Sequence, residues 1–384
     1  CVACGLCLPH CPTYRVTGLE SASPRGRIAA MRAVESGAVP IDETFTRFME
    51  ECVQCRGCEA ACPSGVPFGS LMGDTRAALV EGGRAGGPRG RRITEWFLYR
   101  IALPHHAVLV AMSWLLLALQ RVRLLPKRFG VPPLSARELR KPLTPRRAGR
   151  PDAVLFTGCV MDVWQRSVHR AALRVMEAGG ATVALPDRGA DCCGALHLHA
   201  GRRRAAEALA RRVMAAIPGN AAIVVDSAGC GAMLKDYGSL LGTDDARAFS
   251  ARVRDFSEWL VERGVPPRRA TGRTVVVQDP CHLRHVQRCA GAVRTVLDGA
   301  YTVVETDDDG LCCGAGGAYA VVQPKLAHAI LDRKVAALRA AAGTDGPVVV
   351  SANPGCSMML SAAGLTVKHP AELLVDAMED EGHG

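Results

Sequence analysis

The sequence predicts a multidomain α+β chain in which a small helical domain precedes two tandem α/β modules. Three observations predict it. Two cysteine runs of one spacing, Cys1-x2-Cys4-x2-Cys7-x3-Cys11-Pro12 and Cys52-x2-Cys55-x2-Cys58-x3-Cys62-Pro63, bracket forty residues (12–51) of helical periodicity with no convincing strand. Beyond residue 150, short apolar runs alternate with amphipathic helical stretches, the order of βαβ units. That alternation occurs twice, each time with a cysteine just past each apolar run.

The first domain (1–81) is defined by its thiols. C-x2-C-x2-C-x3-C-P is the spacing by which bacterial ferredoxins hold [4Fe–4S] clusters, the fourth cysteine of each run ligating the other cluster. By that rule Cys1, Cys4, Cys7 and Cys62 hold one cluster, and Cys52, Cys55, Cys58 and Cys11 hold the second. One such run could serve zinc; two in one register point to a pair of cubanes, a ferredoxin-like wire for single electrons. Helices are expected over Arg25–Val34, opened by a Ser23-Pro24 cap, and Glu43–Glu51. Arg25 and Arg27 either sit against a negative cluster or are solvated helix residues.

Composition narrows the class. At 384 residues, 48% hydrophobic and 4% aromatic, the chain supports two or three domains with cores of Ala, Val, Leu and Met. Seventeen cysteines spaced as metal ligands belong to a reducing, cytoplasmic compartment rather than to a disulfide scaffold. A chain opening on a cluster ligand is expected to lack residues upstream, so its start says nothing of targeting.

Residues 82–150 form a basic linker with fifteen Lys or Arg against Glu95 and Glu138, a local +13 that leaves about −3 elsewhere. Gly82–Gly90 reads as flexible, Ile93–Leu103 and Ala107–Leu119 as apolar helices, and Arg121–Arg150 as an extended connector. Ile101–Gln120 carries no formal charge but is interrupted by Pro104, His105 and His106. It reads as a buried or partner-contacting helix or an interfacial membrane helix, and is short for a span. The charge lies in a Gly/Pro-rich connector rather than on a folded face with aromatics, so a lipid headgroup or acidic partner is expected, and no nucleic acid.

The modules, 151–271 and 272–384, are each βαβαβ and Rossmann-like. Strands are expected at Ala153–Phe156, Ala181–Leu185 and Ala221–Asp226, then at Thr274–Gln278, Tyr301–Glu305 and Val348–Ser351; helices are expected near 201–216 and over Lys325–Ala342. Ligands gather at the carboxyl ends of parallel strands. Cys159, Cys192, Cys193 and Cys230 occupy those ends in the first module, Cys281, Cys312, Cys313 and Cys356 in the second. Packed thiols, vicinal disulfides, zinc and a further cluster are the readings; the same four positions in both copies favour a bound metal or cluster. Glycine after Cys-Cys lets the backbone approach closely. His197, His199, His282 and His285 crowd these motifs as ligands, donors to thiolates, proton carriers or ordinary loop histidines. Cys289, without a counterpart, is expected to be a packed thiol.

The repeated pattern resembles the cysteine-rich CCG domain of heterodisulfide reductase subunits, lactate-utilisation proteins and iron–sulfur subunits of flavin-linked dehydrogenases. The heterodisulfide reductase form has a fifth thiol for a noncubane cluster; here Met233 and Met359 stand three residues after Cys230 and Cys356. The whole arrangement resembles the iron–sulfur subunit of glycolate oxidase. The stretches that carry the likeness are Cys11–Tyr14, Ser23–Ile28, Cys192–His197, Asp279–Leu283 and His369–Leu374. The resemblance implies an electron-transfer subunit passing electrons from an FAD-containing dehydrogenase of glycolate or D-lactate to the quinone pool, peripheral on the inner face of the cell membrane. A heterodisulfide reductase-like or glycerol-3-phosphate dehydrogenase iron–sulfur subunit is the alternative, and a zinc-bound docking scaffold a third reading. No strand leads into G-x-G-x-x-G, and Gly314-Ala315-Gly316-Gly317 has the wrong spacing, so no substrate-oxidising site is expected in this chain.

Overall fold

The computed structural model describes residues 1–84, 95–122 and 134–379, apart from single positions 145, 147, 188, 309, 344, 345 and 347. Most of the Gly82–Gly90 linker, the start of the helix expected from Ile93, and the Pro126–Pro133 part of the connector lie outside the described residues.

The first domain is helical: Pro12–Thr17, Pro24–Glu35, Glu43–Glu50, Gly57–Ala60 and Phe68–Glu81. Ser23 Oγ accepts from Gly26 N at 3.0 Å with Pro24 at the first helical position, and Asp42 accepts from Phe45 N at 2.7 Å. These caps hold Ile28, Phe45, Met49, Phe68 and Met72 in one small core that also takes in Cys52 and Cys58. Arg27 is not solvated, and through Thr13 Oγ1, to which it donates at 3.2 Å, it lies one side chain from Cys11 Sγ. It is buried and braces the helices, donating to Phe48 O at 2.8 Å and to the Ala22 carbonyl.

Each module is an all-parallel sheet. Strands β1 (Ala153–Phe156), β2 (Val183–Ala184), β3 (Ala222–Val225) and β4 (Val253–Asp255) lie in the order β2-β1-β3-β4. In the second module β5 (Thr274–Val277), β6 (Thr302–Val304), β7 (Val348–Val350) and β8 (Val367–Lys368) repeat it as β6-β5-β7-β8. Each sheet thus has four strands where the sequence predicts three, a correction with a simple cause. The added strands β4 and β8, Val-Arg-Asp and Val-Lys, carry charged residues and no apolar run of the kind that marks the other six.

The two modules share their terminal helices. Phe256–Arg263, which follows β4, packs on Gly291–Leu297 of the second module, and Pro370–Glu379, which follows β8, packs on Arg166–Ala178 of the first. One apolar core therefore runs through both, from Leu155 and Met176 to Val277 and Leu374. Each such side chain contributes about 1.5–3 kcal/mol by leaving water, so the seam is interior.

Between the domains, Leu98–Ala102 is a π turn, followed by helices His106–Arg121 and Ala136–Arg140. The inner face of His106–Arg121, Leu109, Ser113 and Leu117, packs on the first module, where Trp164 Nε1 donates to Ser113 Oγ at 2.8 Å. The outer face presents Ala107, Ala111, Leu115 and Ala118 to solvent. No described helix is long and apolar enough to cross a membrane.

Candidate functional site

Backbone strain marks both N-terminal cysteine runs. Ala3 and Gly5 flank Cys4 at φ 55° and 86°, and Gln54 and Arg56 flank Cys55 at 57° and 60°. Three of the four left-handed non-glycine residues among the described residues lie at these matched places, the other being Arg288. Each costs roughly 1–2 kcal/mol. A left-handed residue on each side of the central cysteine curls the backbone so that N–H groups turn inward, a concavity suited to anionic sulfide.

Cys11, Cys52, Cys55 and Cys58 are buried, Cys7 and Cys62 half-buried, and Cys1 and Cys4 exposed. Cys11 is a charge neighbour of Cys55 and Cys58 as well as of Cys7, so it lies between the two runs. Burial, then neighbouring thiols, pushes Cys55 and Cys58 well above the ordinary thiol range. Such thiols ionise only against a cationic centre, and iron supplies one. The donor set and the curled backbone fit [4Fe–4S] clusters. Arg25 covers the first run, donating from NH1 to Ala3 O at 3.0 Å.

Sequence reasoning missed Arg76. It donates to the carbonyls of Met49, Glu50 and Cys52 and, at 2.8 Å, to His199 O of the first module. A lone basic residue in the middle of a mostly apolar helix was the available signal.

The predicted module thiols do come together. Cys193 and Cys230 sulfurs are 3.3 Å apart, and Cys192 is the neighbour that most raises the Cys159 thiol. In the second copy Cys281, Cys312, Cys313 and Cys356 lie near enough for each thiol to shift the ionisation of the next. They meet as neighbours rather than around one point: among the described residues no three His, Cys, Asp or Glu side chains are set to hold a single metal ion. Gly194 and Gly314 have φ 87° and 86°, and a Cβ there would lie 3.1 Å from Ala206 O and 2.4 Å from Ala327 O. The glycine of Cys-Cys-Gly is therefore needed for close passage against the following helix. Met359 packs on Cys313 and Cys356, filling the place of a fifth thiol, and Met233 is buried near Cys230.

The copies differ in what their thiols touch. Cys281 and Cys312 join Val53, Cys55 and Tyr319 in one apolar cluster, and Tyr319 OH donates to Glu51 O at 3.0 Å. Cys159 and Cys192 pack instead with Tyr99, Leu103, Leu109 and Leu117 of the linker helices. Asn353 joins the two sites, accepting from Gly229 N at 3.0 Å and lying 3.4 Å from Cys356 Sγ.

The four histidines separate by role. His197 is buried and donates from Nε2 to Tyr99 O at 2.7 Å. His282 Nδ1 lies 3.7 Å from Cys281 Sγ, and its ring stacks on His199 at 5.5 Å. Burial, with His282 next, pulls His199 down to about 3, so it is neutral. His285 packs over Gly57 between the last two cysteines of the triplet. Cys289 sits against the shared core, its thiol pushed up to about 12 by burial.

Comparison with known proteins agrees with this layout. The 4Fe-4S dicluster domain family matches residues 1–66, and the cysteine-rich CCG domain family matches 153–235 and 275–361. The probable glycolate oxidase iron-sulfur subunit of Bacillus subtilis (strain 168) is 33% identical over 98% of this chain and 93% of its own length. The glycolate oxidase iron-sulfur subunit of Escherichia coli (strain K12) is 32% identical over 99% and 94%.

The chain belongs to the glycolate oxidase iron–sulfur subunit family.

A dihydromethanophenazine:CoB–CoM heterodisulfide reductase polypeptide of Methanosarcina acetivorans is also similar, 27% identical over 94% of this chain and 87% of its own length. The present family member has both thiol sets of the modules, with Met233 and Met359 following them.

Proposed function

We propose that this chain is the iron–sulfur subunit that carries electrons from an FAD-containing 2-hydroxyacid dehydrogenase, acting on glycolate or D-lactate, to a quinone at the inner face of the cell membrane. The observation that carries the reading is continuity of thiols from surface to interior. Exposed Cys1 and Cys4 lead to buried Cys11, Cys52, Cys55 and Cys58, and Cys55 packs with Cys281 and Cys312. Bound clusters supply one-electron chemistry there; the chain's own groups bury them, turn N–H donors toward them and keep water from the second run. The full-length likeness to glycolate oxidase iron-sulfur subunits supports the choice of substrate class.

Peripheral membrane contact belongs to the same reading, because the outer face of His106–Arg121 is apolar and exposed at Leu115 (62%). The heterodisulfide reductase-like alternative is disfavoured by Met359, which occupies the space a fifth thiol would need.

The test is reconstitution with the flavoprotein partner, following glycolate-dependent reduction of quinone and of an artificial dye. Cys58→Ser is expected to abolish quinone reduction while dye reduction survives in part. Equal loss of both would mean that this chain does more than conduct.

A further inference from the structure

A cavity of about 310 Å³ opens where the cluster domain, the segment before the His106–Arg121 helix, and both modules meet. Cys52 and Val53 are among its lining residues, so anything bound there lies beside the second cysteine run. Its walls are Leu196 and the aromatic rings of Trp96, Tyr99 and Tyr319. Its polar groups include Arg202, whose guanidinium lies over the Tyr99 ring at 4.9 Å and 3.8 Å from Glu95. The Nε of Arg202 is buried and has no hydrogen-bond partner among the described residues.

We propose that this cavity holds the ring of the quinone acceptor, with Arg202 donating to one ring carbonyl. The inference rests on the electron-carrier reading above and gives it an exit. Size argues for a single ring: the volume is at the lower limit of ligand pockets and leaves no room for a dinucleotide. Aromatic and aliphatic walls suit a planar apolar ring, and a guanidinium held by Glu95 but with its Nε unpartnered suits a carbonyl oxygen that becomes negative as electrons arrive. Among its lining residues, Trp96 belongs to the linker. Trp96 and Phe97 are 50% and 37% exposed and lead, through the π turn, into the helix whose outer face is apolar. A lipid-borne molecule would meet that surface first and leave its tail there. Reduction adds two electrons and two protons to the ring, turning both carbonyls into hydroxyls. The electrons originate in the reduced flavoprotein and pass through this chain, and the protons come from water at the mouth.

A second cavity, of about 330 Å³, lies on the other side of Gln54 and His199 and provides the control. Its arginines pair with carboxylates, Arg203 with Asp74 at 2.7 Å and Arg56 with Asp236 at 3.8 Å, and unlike Arg202 neither has a buried nitrogen without a hydrogen-bond partner among the described residues.

The experiment uses the full complex with its flavoprotein partner and an azido-substituted short-chain benzoquinone as photoreactive probe. Labelling is expected on peptides containing Trp96–Tyr99 and Leu196–Arg202, and is expected to be displaced by unlabelled quinone. Ala318→Trp, which fills the first cavity, should cut labelling at least tenfold with iron and sulfide content unchanged. Arg202→Gln should raise the half-saturating quinone concentration about tenfold, the cost of one charge-assisted hydrogen bond. Ser239→Trp, which fills the second cavity, should leave labelling as it is. Quinone reduction with labelling elsewhere, or sensitivity to Ser239→Trp instead of Ala318→Trp, overturns the site and leaves the electron carrier standing. A complex that reduces dye but no quinone overturns both.

Discussion

In the first module Cys159 and Cys192 face the leucines of the linker helices; in the second, Cys281 and Cys312 face Cys55 of the cluster domain. The sheets have one strand order and the Cys-Cys-Gly turns one shape, with φ 87° and 86° at the two glycines. What differs is the neighbour each copy was given. A duplicated fold therefore supplies two equivalent thiol sites, and packing assigns them: the second continues the thiol path, while the first seats the helix whose outer face is apolar.

The sharpest break of that comparison is to remove the same thiol from each copy. Cys281→Ser is expected to lower electron transfer from flavoprotein to quinone by about 100-fold or more and to alter the paramagnetic signal of the centre at Cys55, which packs in the same cluster. Cys159→Ser is expected to cost at most a few-fold. Iron, zinc and acid-labile sulfide on the same anaerobic preparations add the inventory: roughly eight irons belong to two [4Fe–4S] clusters, and twelve or more require a centre in the modules. Equal effects of the two serines would mean that surroundings do not assign the roles.

Much of this is legible in the sequence because it is carried by spacing. The eight N-terminal cysteines, the four thiols of each module and six of eight strands are local patterns. The asymmetry between the modules is not legible, since it depends on contacts between residues such as Cys55 and Cys312 that are far apart along the chain. β4 and β8 escape because Val-Arg-Asp and Val-Lys make no apolar run, and the helices after them cross to the opposite module. The solvated reading of Arg27 fails, because burial of an arginine is decided by the carbonyls of Phe48 and Ala22, which no local pattern reveals. The Gly of Cys-Cys-Gly reads as room for a ligand; its close approach is to a helix carbonyl.

That glycine offers a second comparison between the copies. A Cβ on Gly314 would come within 2.4 Å of the Ala327 carbonyl oxygen, and one on Gly194 within 3.1 Å of that of Ala206. Both positions share the left-handed penalty of about 1–2 kcal/mol, but only at Gly314 must backbone shift. Gly314→Ala should destabilise the chain by about 3 kcal/mol or more, and Gly194→Ala by about 1–2 kcal/mol, read as urea midpoints at constant slope. Indistinguishable midpoints would show that the second copy relaxes as readily as the first.

The seam gives the smallest effect. Phe256 follows β4 and His369 follows β8, and their rings meet across the modules at 5.9 Å. Burial pulls His369 from 6.5 down to about 4, with Asp226 opposing and His169 adding to the shift. Its Nδ1 accepts from Ala371 N at 3.1 Å, and its backbone N–H donates to Glu372 at 2.9 Å. A ring kept neutral in the folded chain stabilises fully above pH 6.5, and that stability is lost as pH falls from 6.5 towards 4, where only the unfolded chain takes up the proton. His169 runs the other way. Burial lowers it, but the Asp226 carboxylate, 2.6 Å away, raises it by more, so its contribution is present below 6.5 and fades as pH rises. The two histidines therefore partly cancel in the wild type. His369→Gln removes one side, and between pH 7.5 and 5.5 the variant should lose about 1 kcal/mol less stability than the wild type. Parallel stability curves would show that His369 titrates alike in both states and that the seam is open to water.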